Sequence, residues 1–359
     1  MSLERARSLW QAAVATTYPW ADVLDRSAEQ LASIIDDICA LLAEEHATYG
    51  DHPNAAATLA LLLLMLGVAD PAETAQLIDL YLRRGDVVRR RVAASGPYSN
   101  VYAALLALIV DELTVRALLG ALDHRFTIGG LGFRHPVYRP GPLFWIAYYR
   151  GQPQTWLPLP KTLREGFSLR GVWRSARDGA RRARFEQAVF ASRPKLDRSQ
   201  LSAIAQHYGA STPLLDFTDS LEVAAFFATR GAKAGDTGVI YRYHLAHPYA
   251  LDVLGASTAS IDGLGDIAAN LRRTAASGLK PLSVITVPDV PRLERQHGVF
   301  IEGIGVVEAN NFLQPVFFRQ HDGVVYEDPA RGIDCRTLFP ADDALARTAA
   351  EYFGATPGC

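Results

Sequence analysis

Cysteine is scarce in this sequence. There are three in 359 residues, Cys39, Cys335 and Cys359, far apart and odd in number. No CxxC pair and no Cys/His spacing accompanies them, so a structural zinc site is not expected. A disulfide framework is not expected either, which favours a reducing compartment and a cytoplasmic location. Cys39 sits in an apolar helical pattern and reads as a small buried hydrophobe. An excess of one charge is also missing: 36 Lys and Arg stand against 38 Asp and Glu, for a net charge of -2. That excludes a binder whose whole surface is basic and leaves room for a local basic patch. The most apolar run, Ala55 to Ala69 (AAATLALLLLMLGVA), is shorter than the roughly 20 residues a membrane span needs. It reads as a buried bundle helix, and no membrane association is expected. The first twenty residues lack an apolar core followed by a small-residue cleavage site, so they do not read as a signal peptide. No P-loop, Rossmann fingerprint, GxSxG elbow or HExxH occurs.

What is present divides in two. A chain of this length accommodates two domains. The first third is helical in pattern. Ser27 is placed to cap a helix carrying Leu31, Ile34, Ile35, Ile38, Leu41 and Leu42, with Gly50 as its terminator. A second helix opens at Pro71 and closes on arginines and Gly85, a polarity that complements the macrodipole. A third, Val101 to Leu122, is apolar on most faces. The run Arg89, Arg90, Arg91 reads as a solvated helix face before it reads as a phosphate patch. The glycines and prolines of residues 126 to 143 place the boundary there. The division is an all-helical part, 1–125, of no assigned role, and a mixed part, 126–359.

In the mixed part, Phe144 to Tyr149, Gly238 to His244, Leu282 to Val287, Gly298 to Glu302 and Pro315 to Phe318 read as strands. Helices are expected around Arg177 to Phe190, over Leu201 to Tyr208 up to Gly209, over Ser220 to Thr229, and over Asp342 to Tyr352. Strands and helices without regular alternation indicate an α+β class. The arginine-dense stretch Lys161 to Arg198 is the one locally basic segment. A phosphate-rich partner, RNA or DNA, is the sharper reading of it and a solvated helix face the plainer one.

Four segments then occur in one order. The first is Tyr148-Tyr149-Arg150-Gly151-Gln152, with Trp156-Leu157-Pro158-Leu159 and Arg164 behind it. The second is Gln206-His207-Tyr208-Gly209, leading through Thr212 to Leu214-Leu215-Asp216-Phe217-Thr218 and Ala224-Ala225-Phe226-Phe227-Ala228. The third is Arg292 with Gln296, His297, Gly298 and Phe300. The fourth is Gly332-Ile333 with Leu338-Phe339-Pro340. Together, over 144 to 348, they resemble the FRG domain. Pro213 departs from that pattern, which has arginine after the threonine; proline brings neither charge nor a donor.

A more distant resemblance, to the arginine-led ADP-ribosyltransferases, implies a function. Those enzymes use a strand ending in Arg-Gly, a Ser-Thr-Ser strand followed by a helix, and a late strand carrying glutamate. Arg150-Gly151, Phe217-Thr218-Asp219-Ser220 and Arg292 to Phe300 hold those places. The resemblance implies a split sheet and NAD as cofactor. It also implies modification of a macromolecular target, protein or nucleic acid, by a toxin or phage-defence effector. Breaking the nicotinamide–ribose bond builds positive charge on the ribose, which a carboxylate stabilises. Glu294 and Glu302 are the candidates, because Gln296 stands where glutamate is sought. If Gln296 alone faces the cleft, the domain binds a nucleotide without turning it over. Arg150 suits a diphosphate. Tyr149 and Phe217 suit nicotinamide. Gly151, Gln152, Asp216, Thr218 and Ser220 complete the expected binding set, and His207 is a candidate general base. Plainer readings stand beside these. Arg150 can anchor Asp216 in an ion pair, Thr218 and Ser220 can cap the helix that follows, and His207 can be a packing residue. Two alternatives to an NAD-using enzyme remain open: a non-catalytic nucleotide- or partner-binding module, and a nucleic-acid-acting enzyme.

Overall fold

The computed structural model describes residues 2–17, 97–109, 147–164, 169–244 and 282–354. The helices expected from Ser27 and Pro71, the 89–91 arginines, the apolar run 55–69, Cys39 and the boundary segment 126–143 lie outside them.

One six-stranded sheet organises the molecule. Its strands are β1 (Ala147–Gln152), β2 (Leu214–Thr218), β3 (Thr237–His244), β4 (Ser283–Thr286), β5 (Gly298–Glu302) and β6 (Leu313–Arg319). The order across it is β4-β5-β2-β1-β3-β6, antiparallel at every pairing. The helices are α1 (Leu3–Thr17), α2 (101–109), the single turn α3 (Lys161–Arg164), α4 (Leu169–Ser192), α5 (Arg198–His207) and α6 (Leu221–Thr229). Behind them come α7 (Pro291–Arg295), α8 (Val306–Phe312), α9 (Cys335–Leu338) and α10 (Ala344–Phe353). Mixed, irregularly ordered elements around an antiparallel sheet make this an α+β protein.

The sheet divides in the middle. β1 pairs with β3 over six residues and β2 with β5 over five, but β1 and β2 meet at one register pair, Tyr149 with Thr218. Beyond that pair the two halves part. The same face of each half carries its own helices. On the β1-β3-β6 half, α1, α2 and α6 share a core with Tyr149, Ile240, Val316 and Phe318. On the β2-β5-β4 half, α5 and α10 cover Leu214, Phe300 and Leu293. The opposite face is closed by Leu215, Phe217, Tyr241 and Tyr243 with Phe312.

Local chemistry explains why these elements form. Asp197 and Gln200 make a reciprocal capping box at the start of α5, and Gly209, at φ 105°, ends it. Ser220 caps α6 by accepting from the Val223 N–H. α6 lies so close on β1 that a Cβ on Gly151 would sit 1.8 Å from the Ala224 carbonyl oxygen. α1 is tied to α6 by a buried chain: Trp10 Nε1 donates to the Tyr326 hydroxyl at 2.9 Å, and that hydroxyl donates to Glu222 at 2.7 Å. Arg331 pairs with the same carboxylate at 2.6 Å.

Two expectations are corrected here. Residues 291–295 form a helix, not an extension of the β5 strand, because Pro291 supplies a preset first-turn φ. Cys335 is disulfide-bonded. Sequence separation does not tell which sulfurs a fold brings together, and the cysteines therefore lend no support to a reducing compartment. No helix among the described residues is long and apolar enough to cross a membrane.

Candidate functional site

Where β1 and β2 part, a cleft of about 380 Å³ opens. That falls in the range of small-molecule sites. Its lining draws on elements distant in sequence. β1 contributes Tyr149 to Gln152, β2 contributes Asp216 to Thr218, and the loop after β1 contributes Trp156. His207, Phe227 and Arg230 come from α5, α6 and the end of α6. Arg292, Gln296, Gly298 and Phe300 come from α7 to β5, and Phe339 follows α9.

Arg150 sits at the opening. Its Nη1 donates to the Asp216 carbonyl at 2.7 Å, standing in for the ladder partner that β2 lacks once the strands diverge. The same nitrogen lies 3.9 Å from Asp216 Oδ2, and the side chain is 19% exposed. With the Gln152 amide oriented to satisfy both neighbours, its oxygen accepts from Arg150 Nε at 3.0 Å and its nitrogen donates to the Trp156 carbonyl at 2.8 Å. Tyr241 holds that carbonyl too, at 3.0 Å. Arg150 therefore both braces the split and lines the cleft. The tethered Trp156 carbonyl keeps the indole at the rim, half exposed.

Among the described residues, Asp216 is the one carboxylate in the lining. The Thr212 hydroxyl donates to Gln206 Oε1 at 2.6 Å, which turns the Gln206 amide nitrogen toward Asp216 Oδ2 at 3.1 Å. Oδ1 is left with no hydrogen bond. His207 stands on the same wall, edge-on to Tyr208 and Phe300. Its Nε2 is buried and has no partner. Burial, reinforced by the Arg292 guanidinium, pushes its pKa down to about 3. The ring is neutral at physiological pH, and so weak a base does not fit the general-base role.

Phe339 lies within cation–π reach of two guanidiniums, with Arg230 and Arg292 each 4.6 Å from the ring centre. Arg292 also lies over Tyr208, whose hydroxyl donates to Asp343 at 2.7 Å. Burial lowers the Arg292 pKa from its usual value, though guanidinium stays protonated in proteins. Three arginines, one carboxylate and one neutral imidazole make the cleft cationic in a chain of net charge -2.

Of the expected residues, Tyr149, Arg150, Gly151, Gln152, His207, Asp216, Phe217, Thr218 and Gln296 line this cleft. Three do not. Ser220 is the α6 cap. Glu294 is exposed on α7, where a two-residue offset from Gln296 lands on a different face of the helix. Glu302 is exposed at the far end of β5, opposite Leu214 and Ser283. Other roles shift. The Thr218 hydroxyl is spent internally, donating to the Gln296 carbonyl at 2.8 Å and accepting from the Ser220 N–H at 3.1 Å. Gln296 donates its amide to the Leu338 carbonyl at 2.7 Å. Tyr149 and Phe217 belong to cores on opposite faces of the sheet, so they cannot sandwich a ring between them. Sequence reasoning missed Arg230 altogether. It noted Arg292, Trp156 and Phe339 in motifs without assigning them to the site. Outside the cleft, His297 Nδ1 pairs with Asp219 at 3.0 Å, and that bond raises the His297 pKa.

Among families of known proteins, the one described as the FRG domain matches residues 146–237. No curated protein and no solved structure matches the chain. The matched span takes in β1, α3 to α6 and β2, which carry Arg150, His207, Asp216 and Arg230. The wall formed by Arg292, Gln296 and Phe339 lies beyond it. Over residues 146–237 this chain is similar to the FRG domain.

Proposed function

We propose that the cleft binds a phosphate-bearing nucleotide, with NAD the candidate that the ADP-ribosyltransferase resemblance suggests. One observation carries this reading: among the described residues, three guanidiniums converge with six aromatic rings around a cavity lined by a single carboxylate. Guanidinium forks recognise phosphate oxygens bidentately. Trp156, half exposed at the rim, offers a face on which a base can stack. The reading favours binding over turnover. The carboxylates expected to stabilise a developing ribosyl cation, Glu294 and Glu302, are outside the cleft, and the residue inside it is Gln296.

A second reading, NAD cleavage with transfer to a macromolecular target, is favoured by a specific fact. The strands that carry the three expected blocks, β1, β2 and β5, are contiguous in the sheet. In that reading Asp216 supplies the negative charge. Titration calorimetry with NAD and with ADP, followed by measurement of nicotinamide release in the NAD samples, separates the two. Binding without release is the expected result. Release that Asp216→Asn abolishes establishes cleavage, ADP-ribose found attached to a macromolecule rather than free in solution then establishes transfer, and binding by neither nucleotide overturns both readings.

A further inference from the structure

A second recess lies apart from the cleft and shares none of its lining residues. It has a volume of about 130 Å³ and opens between α1, the start of α2 and the loop 326–329. That is too small for a nucleotide and enough for a molecule of a few heavy atoms. Its inner surface is aromatic. Trp10, Tyr102 and Tyr326 are almost fully buried, and Tyr326 lies edge-on to Trp10 at 6.4 Å and tilted to Tyr102 at 5.7 Å between ring centres. The hydrogen bonds from Trp10 to Tyr326 and from Tyr326 to Glu222 hold two of these rings in place.

The outer lining is charged, and its charges do not meet. Arg7 and Glu327 are exposed and Asp328 is half-buried. One guanidinium and two carboxylates thus share a small space, and among the described residues none of the three forms an ion pair. Asp328 holds the N-cap position of the turn Pro329–Arg331, where a carboxylate ordinarily accepts from the backbone, but its side chain makes no such bond. Burial raises the Tyr102 pKa, Arg7 lowers it and Asp328 raises it further, so charges of both signs act on that hydroxyl. A simple anion entering here meets two carboxylates, and a simple cation meets Arg7. Like-charge repulsion disfavours each, whereas a molecule with one charge of each sign finds a partner for both.

We infer that this recess binds a small zwitterion, an α-amino acid, with its carboxylate on Arg7 and its ammonium toward Asp328, Glu327 and the aromatic rings. A guanidinium takes a carboxylate bidentately, and ring faces attract an ammonium. The site stands independently of the nucleotide reading. It joins α1 to the loop 326–329, so occupancy ties those two segments together and raises the melting temperature.

The test is calorimetric titration of the full chain with glycine and L-alanine, and with ethylamine and propionate, which each carry one of alanine's two charges. So small a ligand has few atoms with which to bind, and each is therefore titrated to about 10 mM. Losing a bond to a charged group weakens binding on the order of tenfold or more. The expected result is that L-alanine, glycine or both bind at least about tenfold more tightly than ethylamine and propionate. In Arg7→Gln the advantage over ethylamine should disappear, and in Asp328→Asn the advantage over propionate should shrink. Neither change removes a side-chain hydrogen bond, so both variants should melt near wild type. The comparison of the four ligands is made on the wild-type protein and does not depend on the variants. Failure of both amino acids to bind overturns the inference. Ethylamine or propionate binding as tightly as the amino acids overturns it too, by showing a site for one charge alone.

Discussion

Changing Gln296 to glutamate would restore the carboxylate that an NAD-cleaving site needs, and the structure says what that change costs. The Gln296 side chain is 5% exposed and its amide donates to the Leu338 carbonyl at 2.7 Å. In Gln296→Glu the donor becomes an acceptor, and two acceptors face each other at that distance. Losing the bond and burying the opposed pair costs about 2–4 kcal/mol at neutral pH. Arg292, one helical turn earlier, offsets part of it, which keeps the loss at the lower end of that range. At roughly 2–4 °C per kcal/mol the melting temperature falls by about 4–8 °C. The sign of the pH dependence follows from linkage. Burial and the facing carbonyl raise the introduced carboxyl's folded pKa above its unfolded value near 4.3. The deficit is therefore full above the folded pKa. It shrinks as pH falls through that value, because the protonated acid can again donate to Leu338. Differential scanning calorimetry of both proteins at pH 5 and pH 8 reads this directly. Equal melting temperatures at both pH values would refute the reasoning, since they would mean that the position needs no donor.

Three further outcomes follow from the same geometry. Gly151→Ala drives a Cβ to within 1.8 Å of the Ala224 carbonyl oxygen and 2.7 Å of the Ala228 nitrogen; because these are backbone atoms, a loss of at least about 3 kcal/mol is expected in denaturant unfolding, and a loss below about 1 kcal/mol would show that β1 and α6 can separate freely. Tyr326→Phe removes the hydroxyl between Trp10 and Glu222, so stability should drop by about 1–3 kcal/mol, and a neutral result would show that α1 is not held through this contact. Asp219→Ala removes the bond that raises the His297 pKa. By NMR titration that pKa should fall toward its ordinary value. The stability difference from wild type should be present below about pH 6.5 and vanish as pH rises through the higher folded value.

Much of the mixed half was legible from residue patterns. Ser220 before an apolar run marked a capped helix, and Gly209 marked where another must stop. The strands at 238–244 and 298–302 showed in their apolar, β-branched and aromatic residues. Residues 292–296 were the exception. Aligning them with a strand-borne glutamate hid the helix that Pro291 starts, and with it the true direction of Glu294. The site was half legible. Arg150, His207, Asp216 and Gln296 stood in motifs, and all four line the cleft. Arg230 could not be found that way. It is the residue that closes α6, and only tertiary folding brings it over Phe339, more than a hundred positions later. Which side of the sheet Tyr149 and Phe217 face is likewise a matter of register. A one-residue offset between paired strands reverses it, and composition carries no record of that.

Arg150 holds two jobs that a conservative change can separate. Its Nη1 serves Asp216 O at 2.7 Å while its Nε serves Gln152 at 3.0 Å, a reach that depends on the planar fork. In Arg150→Lys the charge remains near the opening, but one ammonium cannot meet both partners. The bracing of the split sheet weakens, and about 1–3 kcal/mol of stability should be lost. Ligand affinity should change much less, within about threefold, because a cation remains at position 150 and Arg230 and Arg292 still line the cleft. A variant as stable as wild type that binds ADP tenfold more weakly would reverse this division, making Arg150 the phosphate ligand and leaving the split sheet to hold itself open by other means.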